Sequence, residues 1–151
     1  MSEPSTNPAA STTTRASLEL ESVEGGGLRF AGEVGGHRLG FDSGPGAASA
    51  NPVQTVLAAL GACTAMDVIS ILRKKRQHVT GYRVEVNGER RMDEHPKIYT
   101  HIEIVHRVWG RDVSPEAVAD AVHLSDTKYC SVHAMLEGTV EITSRFEVFN
   151  D

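Results

Sequence analysis

Beyond residue 15 the chain alternates. The segment "SLELESV" sets apolar side chains at every second position, "EGGG" breaks it, "LRFAGEV" resumes, "GGH" breaks it again, and "RLGFDSG" follows. A period of two with glycine interruptions predicts two or three antiparallel strands joined by tight turns. After the loop "GPGAASA", Asn51-Pro52 offers a helix cap and a first-turn proline. The period then changes: Val53, Val56, Leu57, Leu60, Thr64, Val68 and Ile71 recur at three- and four-residue spacing, with Cys63 within or beside the stripe. That pattern predicts a long helix through "NPVQTVLAALGACTAMDVISILRKKR". Much of its opposite side is Ala and Gly, so it is expected to be buried nearly all round. The stretch is long enough to cross a bilayer, but Gln54, Asp67 and Ser70 interrupt it and no flanking pattern supports insertion.

Alternation returns in "YRVEVNGERRM" and, past "DEHPK", in "IYTHIEIVHRVWG", which predicts a hairpin of long strands. Ser114-Pro115-Glu116 supplies a cap, a first-turn proline and a first-turn acid for the helix "EAVADAVHLS". Ser125 is expected to cap a further short helix containing "KYCSVHAML", and "GTVEITSRFEVF" closes the chain as a strand. The order of strands, long helix, hairpin, helix pair and strand indicates an α+β protein. Residues 1–15, "MSEPSTNPAASTTTR", have almost no large apolar side chain and are expected to form a disordered tail ahead of a single domain over residues 16–151.

Composition adds limits. A chain of 151 residues and 16.3 kDa buries enough surface to fold without a disulfide framework. A net charge of -5 and a pI near 5.8 argue against a nucleic-acid partner, whose phosphates need clustered Lys and Arg. The run Arg73 to Arg76 is read as the solvated end of the long helix, where cations suit the dipole. No segment resembles a signal peptide, so a cytoplasmic location is expected, with no membrane partner. Two cysteines in a reducing compartment then serve as metal ligands, as catalytic groups, or as inert buried thiols.

Of these two, Cys130 has local help: in a helix beginning near Ser125 to Lys128 its sulfur lies in the first turns, where the dipole favours a thiolate and Lys128 adds positive charge. Cys63 is mid-helix and has none. Cys130 and His133 have a ligand-like separation, but no C-x-x-C pair occurs, and Cys63, Cys130 and His133 supply at most three zinc ligands. No metal and no other cofactor is therefore expected. His101 and His106, five apart in one strand, fall on opposite faces. His133 as base to Cys130 would suit a cysteine hydrolase, but no third group is identifiable. The glycine stretches lack a strand-to-helix context and read as turns. Asp67, one turn after Cys63, is expected to be a capping or salt-bridging residue, or else a polar group within a dimer core.

Taken in order, "NPVQTVLAALGACTAMDVISIL", "YRVEVNGERR", "HPKIYTHIEI", "VWGRDVSPEAVADAVHLS" and "KYCSVHAML" resemble the OsmC and Ohr family, osmotically inducible protein C and organic hydroperoxide resistance protein. The resemblance spans roughly Leu18 to Val148, and "SDTKYCSVHAML" resembles the YhfA-like branch in particular. It implies an OsmC-like fold, with antiparallel sheets wrapped around a long central apolar helix in an intertwined homodimer. It also implies a thiol peroxidase that reduces organic hydroperoxides in oxidative-stress defence. Cys63 matches the attacking thiol and Cys130 the resolving thiol, recharged by a dithiol reductant of lipoyl type. In the family an arginine from the N-terminal strands and a glutamate near the start of the long helix organise the nucleophile. Arg29 is the candidate arginine, with Arg38 next. Val53 and Gln54 fall where the glutamate is expected, so Gln54 can hydrogen-bond there but cannot form a charged pair. The alternative is an OsmC-like redox sensor or apolar-ligand-binding protein without turnover.

Overall fold

The computed structural model describes residues 10–151. Of the expected N-terminal tail, residues 1–9 lie outside the described residues, and residues 10–15 are exposed and carry no regular structure. Two compact units divide the chain between Pro52 and Val53.

In the N-terminal unit, β1 (Ala16–Leu20), β2 (Phe30–Val34) and β3 (His37–Phe41) form one antiparallel sheet in the order β1-β2-β3. Val34 pairs with His37, so Gly35 and Gly36 are the whole of the β2–β3 turn. Both have positive φ, 55° and 82°, as a two-residue turn matched to strand twist requires. The expected strands and glycine turns are both present.

The C-terminal unit contains α1 (Pro52–Lys74, counted from Val53), β4 (His78–Arg90), β5 (Tyr99–Arg111), α2 (Pro115–Leu124), α3 (Ser131–Leu136) and β6 (Glu141–Asn150). The long strands β4 and β5 are antiparallel neighbours as expected. The last strand, however, pairs with β5 in parallel, with His101 opposite Glu141 and Gly110 opposite Asn150. An all-antiparallel sheet is therefore corrected: α2 and α3 form the crossover that a parallel connection needs. The strand β5 is central, and Ile102, Ile104, His106 and Val108 on one of its faces are all 0% exposed. The opposite face carries charge, with Arg107 bridging Glu85 at 2.7 Å and Glu147 at 2.9 Å. Alternation along one strand thus separates an apolar core face from a largely polar one, on which Val105 is nonetheless only 1% exposed.

Helix α1 lies over the apolar face. Its buried residues Leu60, Gly61, Thr64, Val68 and Leu72 recur at the spacing of one helix face. Fully burying a side chain such as Leu60 contributes about 2 kcal/mol. The packing forms two apolar clusters. Leu60 joins Tyr99, Ile102, Ile104 and Cys130, while Val68 and Leu72 join Val108, Val113, Val118, Ala121 and Val122. The expectation of a helix buried all round is not met within one chain: Ala58, Ala59, Ala62 and Met66 are exposed, Met66 at 70%.

Between the clusters, at the level of Thr64 on α1 and His106 on β5, the interior is polar, and Thr64, His106 and Ser125 are 0% exposed. The Tyr82 hydroxyl lies 2.6 Å from His106 Nδ1, and the two rings stack with an interplanar angle of 4°. Burial raises the Tyr82 pKa, with the Asp67 charge adding to the rise, so the phenol keeps its proton and donates it to a neutral imidazole. His106 Nε2 has no hydrogen-bond partner. Desolvation accordingly pushes the His106 pKa down to about 4.

This gives a pH prediction. An unfolded histidine takes up its proton near pH 6.5, whereas folded His106 resists until about 4, so the unfolded state binds more protons between those values and stability falls as pH falls through that window. Urea unfolding at pH 5 is expected to give about 2 kcal/mol less stability from this group than at pH 7. In His106→Leu that part of the slope disappears; an unchanged slope would show that His106 is not its source.

Candidate active site

The site forms where α1 faces the segment between α2 and α3. Cys63 is half-buried near the middle of α1, and Asp67 is one turn further on the same face. The segment opposite is not the single helix capped by Ser125 that the sequence suggested. Residues Ser125–Tyr129 form a π-helical turn continuing α2, and Cys130 then leaves the helical region at φ -73°, ψ 103°. Cys130 is itself the N-cap of α3: its sulfur accepts the His133 backbone N–H at 3.4 Å. Ser125 points inward instead. Its hydroxyl donates to Asp67 Oδ2 at 3.0 Å and lies 2.8 Å from the Thr64 hydroxyl. Asp67 is thus held by a buried hydroxyl pair, not by a salt bridge.

The consequence is convergence. Cys63 Sγ, Cys130 Sγ and a carboxylate oxygen of Asp67 all lie within 4.8 Å of one another. Cys130 is 3% exposed, and burial pushes its thiol up to about 11, with the Cys63 and Asp67 charges adding to the rise and the His133 N–H opposing it. Lys128, expected to counter such a rise, lies over the Tyr129 ring at 5.2 Å from its centroid. His133 does not aim its ring at the sulfur. Its Nδ1 lies 3.5 Å from Asp126 Oδ1 and its Nε2 3.8 Å from Glu137, so the hydrolase arrangement is not formed. Two sulfurs within 4.8 Å are near enough to be joined in a disulfide of about 2.05 Å after side-chain rotation, once an oxidant has taken one of them to the sulfenic acid. The same three donors, two thiols and a carboxylate, are also of the types that hold a metal cation.

The other residues singled out from the sequence are not among these three donors. Gln54 is exposed in the first turn of α1, nine residues before Cys63, which along a helix is about 13 Å. Arg29 immediately precedes β2 in the N-terminal unit. Its guanidinium is 3.4 Å from Glu21 and 4.0 Å from Asp42, and its side chain is half exposed. Arg38 is exposed on β3 opposite Glu33. His101 and His106 point apart, His101 towards Glu141 and Thr143 and His106 into the core. Asp67 and Ser125 are the site residues whose roles sequence reasoning missed. The available signal was the four-residue step from Cys63 to Asp67, which places both on one helix face.

Comparison with known proteins agrees with the fold. The model of the OsmC-like protein family matches residues 44–145. Protein YhfA of Escherichia coli K12 is 47% identical over 123 residues, which cover 81% of this chain and 91% of that protein. A hypothetical protein from Aquifex aeolicus superposes with a TM-score of 0.77 at 31% identity, over 91% of this chain and 98% of the other. The organic hydroperoxide resistance protein OhrB of Bacillus subtilis shares the fold alone, with a TM-score of 0.61 at 18% identity over 90% of this chain and 98% of that one. With its long apolar helix, its small sheets and its two converging cysteines, the chain belongs to the OsmC-like protein family.

Proposed function

We propose that the protein is a cysteine-based thiol peroxidase that reduces organic hydroperoxides, in oxidative-stress defence in the cytoplasm. The observation that carries this reading is the approach of Cys63 and Cys130 within 4.8 Å. The Cys63 thiolate attacks the terminal peroxide oxygen; the O–O bond breaks, alkoxide leaves and takes a proton to become alcohol, and Cys63 becomes a sulfenic acid. The Cys130 thiol then attacks that sulfur, water leaves, and a disulfide remains. A dithiol reductant, in the lipoyl class by family resemblance, returns both thiols. Cys63 is the better placed of the two to attack first, because it is half-buried whereas Cys130 is enclosed.

Family resemblance also assigns Arg29 to orient the peroxide, with Gln54 in the place of the usual glutamate. The test is multiple-turnover consumption of cumene hydroperoxide with a dithiol. Wild type is expected to consume many equivalents, and Arg29→Ala to lose on the order of 100-fold in kcat/KM. Arg29→Lys is expected not to restore it, since lysine keeps the charge but not the fork. Full activity in Arg29→Ala would remove Arg29 from the mechanism. Consumption that stops after one equivalent in wild type would replace the peroxidase with the second reading, a sensor or apolar-ligand binder. That reading has an observation of its own: an apolar cleft of about 710 Å³ in the N-terminal unit, lined by Leu18, Leu28, Phe30, Leu39 and Phe41 among others.

The working form is proposed to be a homodimer. Exposed Ala58, Ala62 and Met66 recur every four residues along α1 and make a small-residue apolar stripe that a second copy can cover. Light scattering is expected to report twice the chain mass of 16.3 kDa; a stable monomer would overturn this.

A further inference from the structure

Asp67 is the group that the thiol chemistry leaves without a task. We propose that Cys63, Asp67 and Cys130 form a binding site for one thiophilic divalent cation of the zinc class. The geometry is close to what such an ion needs. Tetrahedral zinc, at about 2.3 Å from sulfur and about 2.0 Å from oxygen, holds its donors roughly 3.5 to 4 Å apart. The three donors here are already within 4.8 Å of one another, so side-chain rotations suffice to close on an ion. Two thiolates with one carboxylate select zinc or cadmium over magnesium or calcium, which take oxygen. Three protein ligands leave a fourth position for water or an exogenous ligand.

The surroundings are those of a held ligand set. Ser125 donates to Asp67 Oδ2 at 3.0 Å, the Thr64 hydroxyl lies 2.8 Å from Ser125, and both hydroxyl residues are 0% exposed. The His133 N–H fixes the Cys130 sulfur. Outer contacts of this kind orient metal ligands. No protein cation serves Asp67 instead: among the described residues no Lys, Arg or His lies within 4.0 Å of its carboxylate, and Lys75 is paired with Asp120 at 2.6 Å. Asp67 is also reachable from the surface. Asp67 lines a surface cleft of about 360 Å³ together with Ser70, Lys74, Lys75, Asp120 and Tyr129.

Occupancy would regulate the thiols, a consequence that rests on the peroxidase reading. The two metal-bound thiolates can give two electrons to an organic hydroperoxide, which with two protons becomes alcohol and water. The products on the protein side are a disulfide and a released cation.

Cadmium alone is the probe, added to the fully reduced, metal-free, full-length protein, with zinc as competitor. One equivalent per chain is expected to bind with a sulfur-to-cadmium charge-transfer absorbance that zinc abolishes. Cys63→Ser and Cys130→Ser are each expected to lose that absorbance. Asp67→Asn, with its fold checked by circular dichroism, is expected to bind at least tenfold more weakly, and Ser125→Ala on the order of tenfold more weakly. Unchanged affinity in both Asp67→Asn and Ser125→Ala would overturn the site and leave a bare thiol pair, as would an intact band in either cysteine variant. Should Asp67→Asn not fold, Ser125→Ala decides alone. Hydroperoxide turnover by the metal-free protein is scored separately. Turnover without cadmium binding removes the metal site alone, and cadmium binding without turnover removes the peroxidase alone.

Discussion

Cys63→Ser is expected to reduce hydroperoxide turnover to the uncatalysed background, while Cys130→Ser is expected to undergo a single oxidation and stop. The asymmetry follows from the order of the two steps. Without the Cys63 sulfur no group attacks the peroxide, because Cys130 is 3% exposed and burial holds its thiol protonated near neutral pH. A thiol is a poor nucleophile compared with its thiolate. Without the Cys130 sulfur the first step still proceeds, but the sulfenic acid has no second thiol in its own chain to meet. It then persists, or adds further oxygen to become sulfinic acid under excess peroxide. Intact mass after one equivalent of cumene hydroperoxide reads this directly. Wild type should lose two hydrogens, Cys130→Ser should gain one oxygen, and Cys63→Ser should not change. Full multiple turnover in Cys130→Ser would show that an external thiol resolves Cys63 and that the internal disulfide is not part of the cycle.

The placement of these sulfurs was partly legible in the sequence, and the reasons differ by element. The stripe Leu60, Thr64, Val68 identified the buried face of α1, because helical periodicity reports burial against a sheet directly. The Gly35-Gly36 turn was legible because few other residue pairs accept positive φ twice. The direction of β6 was not, since an alternating strand looks the same in parallel and antiparallel pairing. Nor was the π-helical turn at Ser125–Tyr129: its extra residue rotates Ser125 inward and makes Cys130 a cap, and no residue type marks such a turn. The meeting of Cys63 and Cys130, 67 positions apart in the chain, came from family resemblance and not from any local pattern. Asp67 was visible as a polar interruption of an apolar helix, one turn after Cys63. Its role depends on Ser125, a residue from another element that no periodicity connects to it.

Gly61 supplies the second large effect, because it sets how closely α1 approaches the sheet. A Cβ at this position would sit 2.9 Å from Val86 Cγ2 and 3.7 Å from Val84 Cγ1. For Gly61→Ala two terms oppose: alanine gains about 1 kcal/mol in helix propensity, while a contact at 2.9 Å with a side-chain methyl asks Val86 to turn or α1 to move by a few tenths of an ångström. The net change is expected to stay within about 1 kcal/mol of zero. Gly61→Leu gains nearly the same propensity but must place three more carbons where Val84 and Val86 already pack. Overpacking of that size costs about 3 kcal/mol, so the propensity gain offsets only a minor part. At 2 to 4 °C per kcal/mol for a chain of this size, the midpoint of thermal unfolding should fall by about 5 °C or more. The functional effect should be larger than the loss of stability. Cys63 is two residues from Gly61, so lifting α1 off β4 carries the Cys63 sulfur away from Cys130, which is held from the other side by the His133 N–H. Attack on hydroperoxide should survive in Gly61→Leu, but disulfide formation should slow and sulfenic acid accumulate, as in Cys130→Ser. Rapid-quench mass analysis showing wild-type disulfide kinetics in Gly61→Leu would mean that the approach of α1 to the sheet does not set the distance between the two sulfurs.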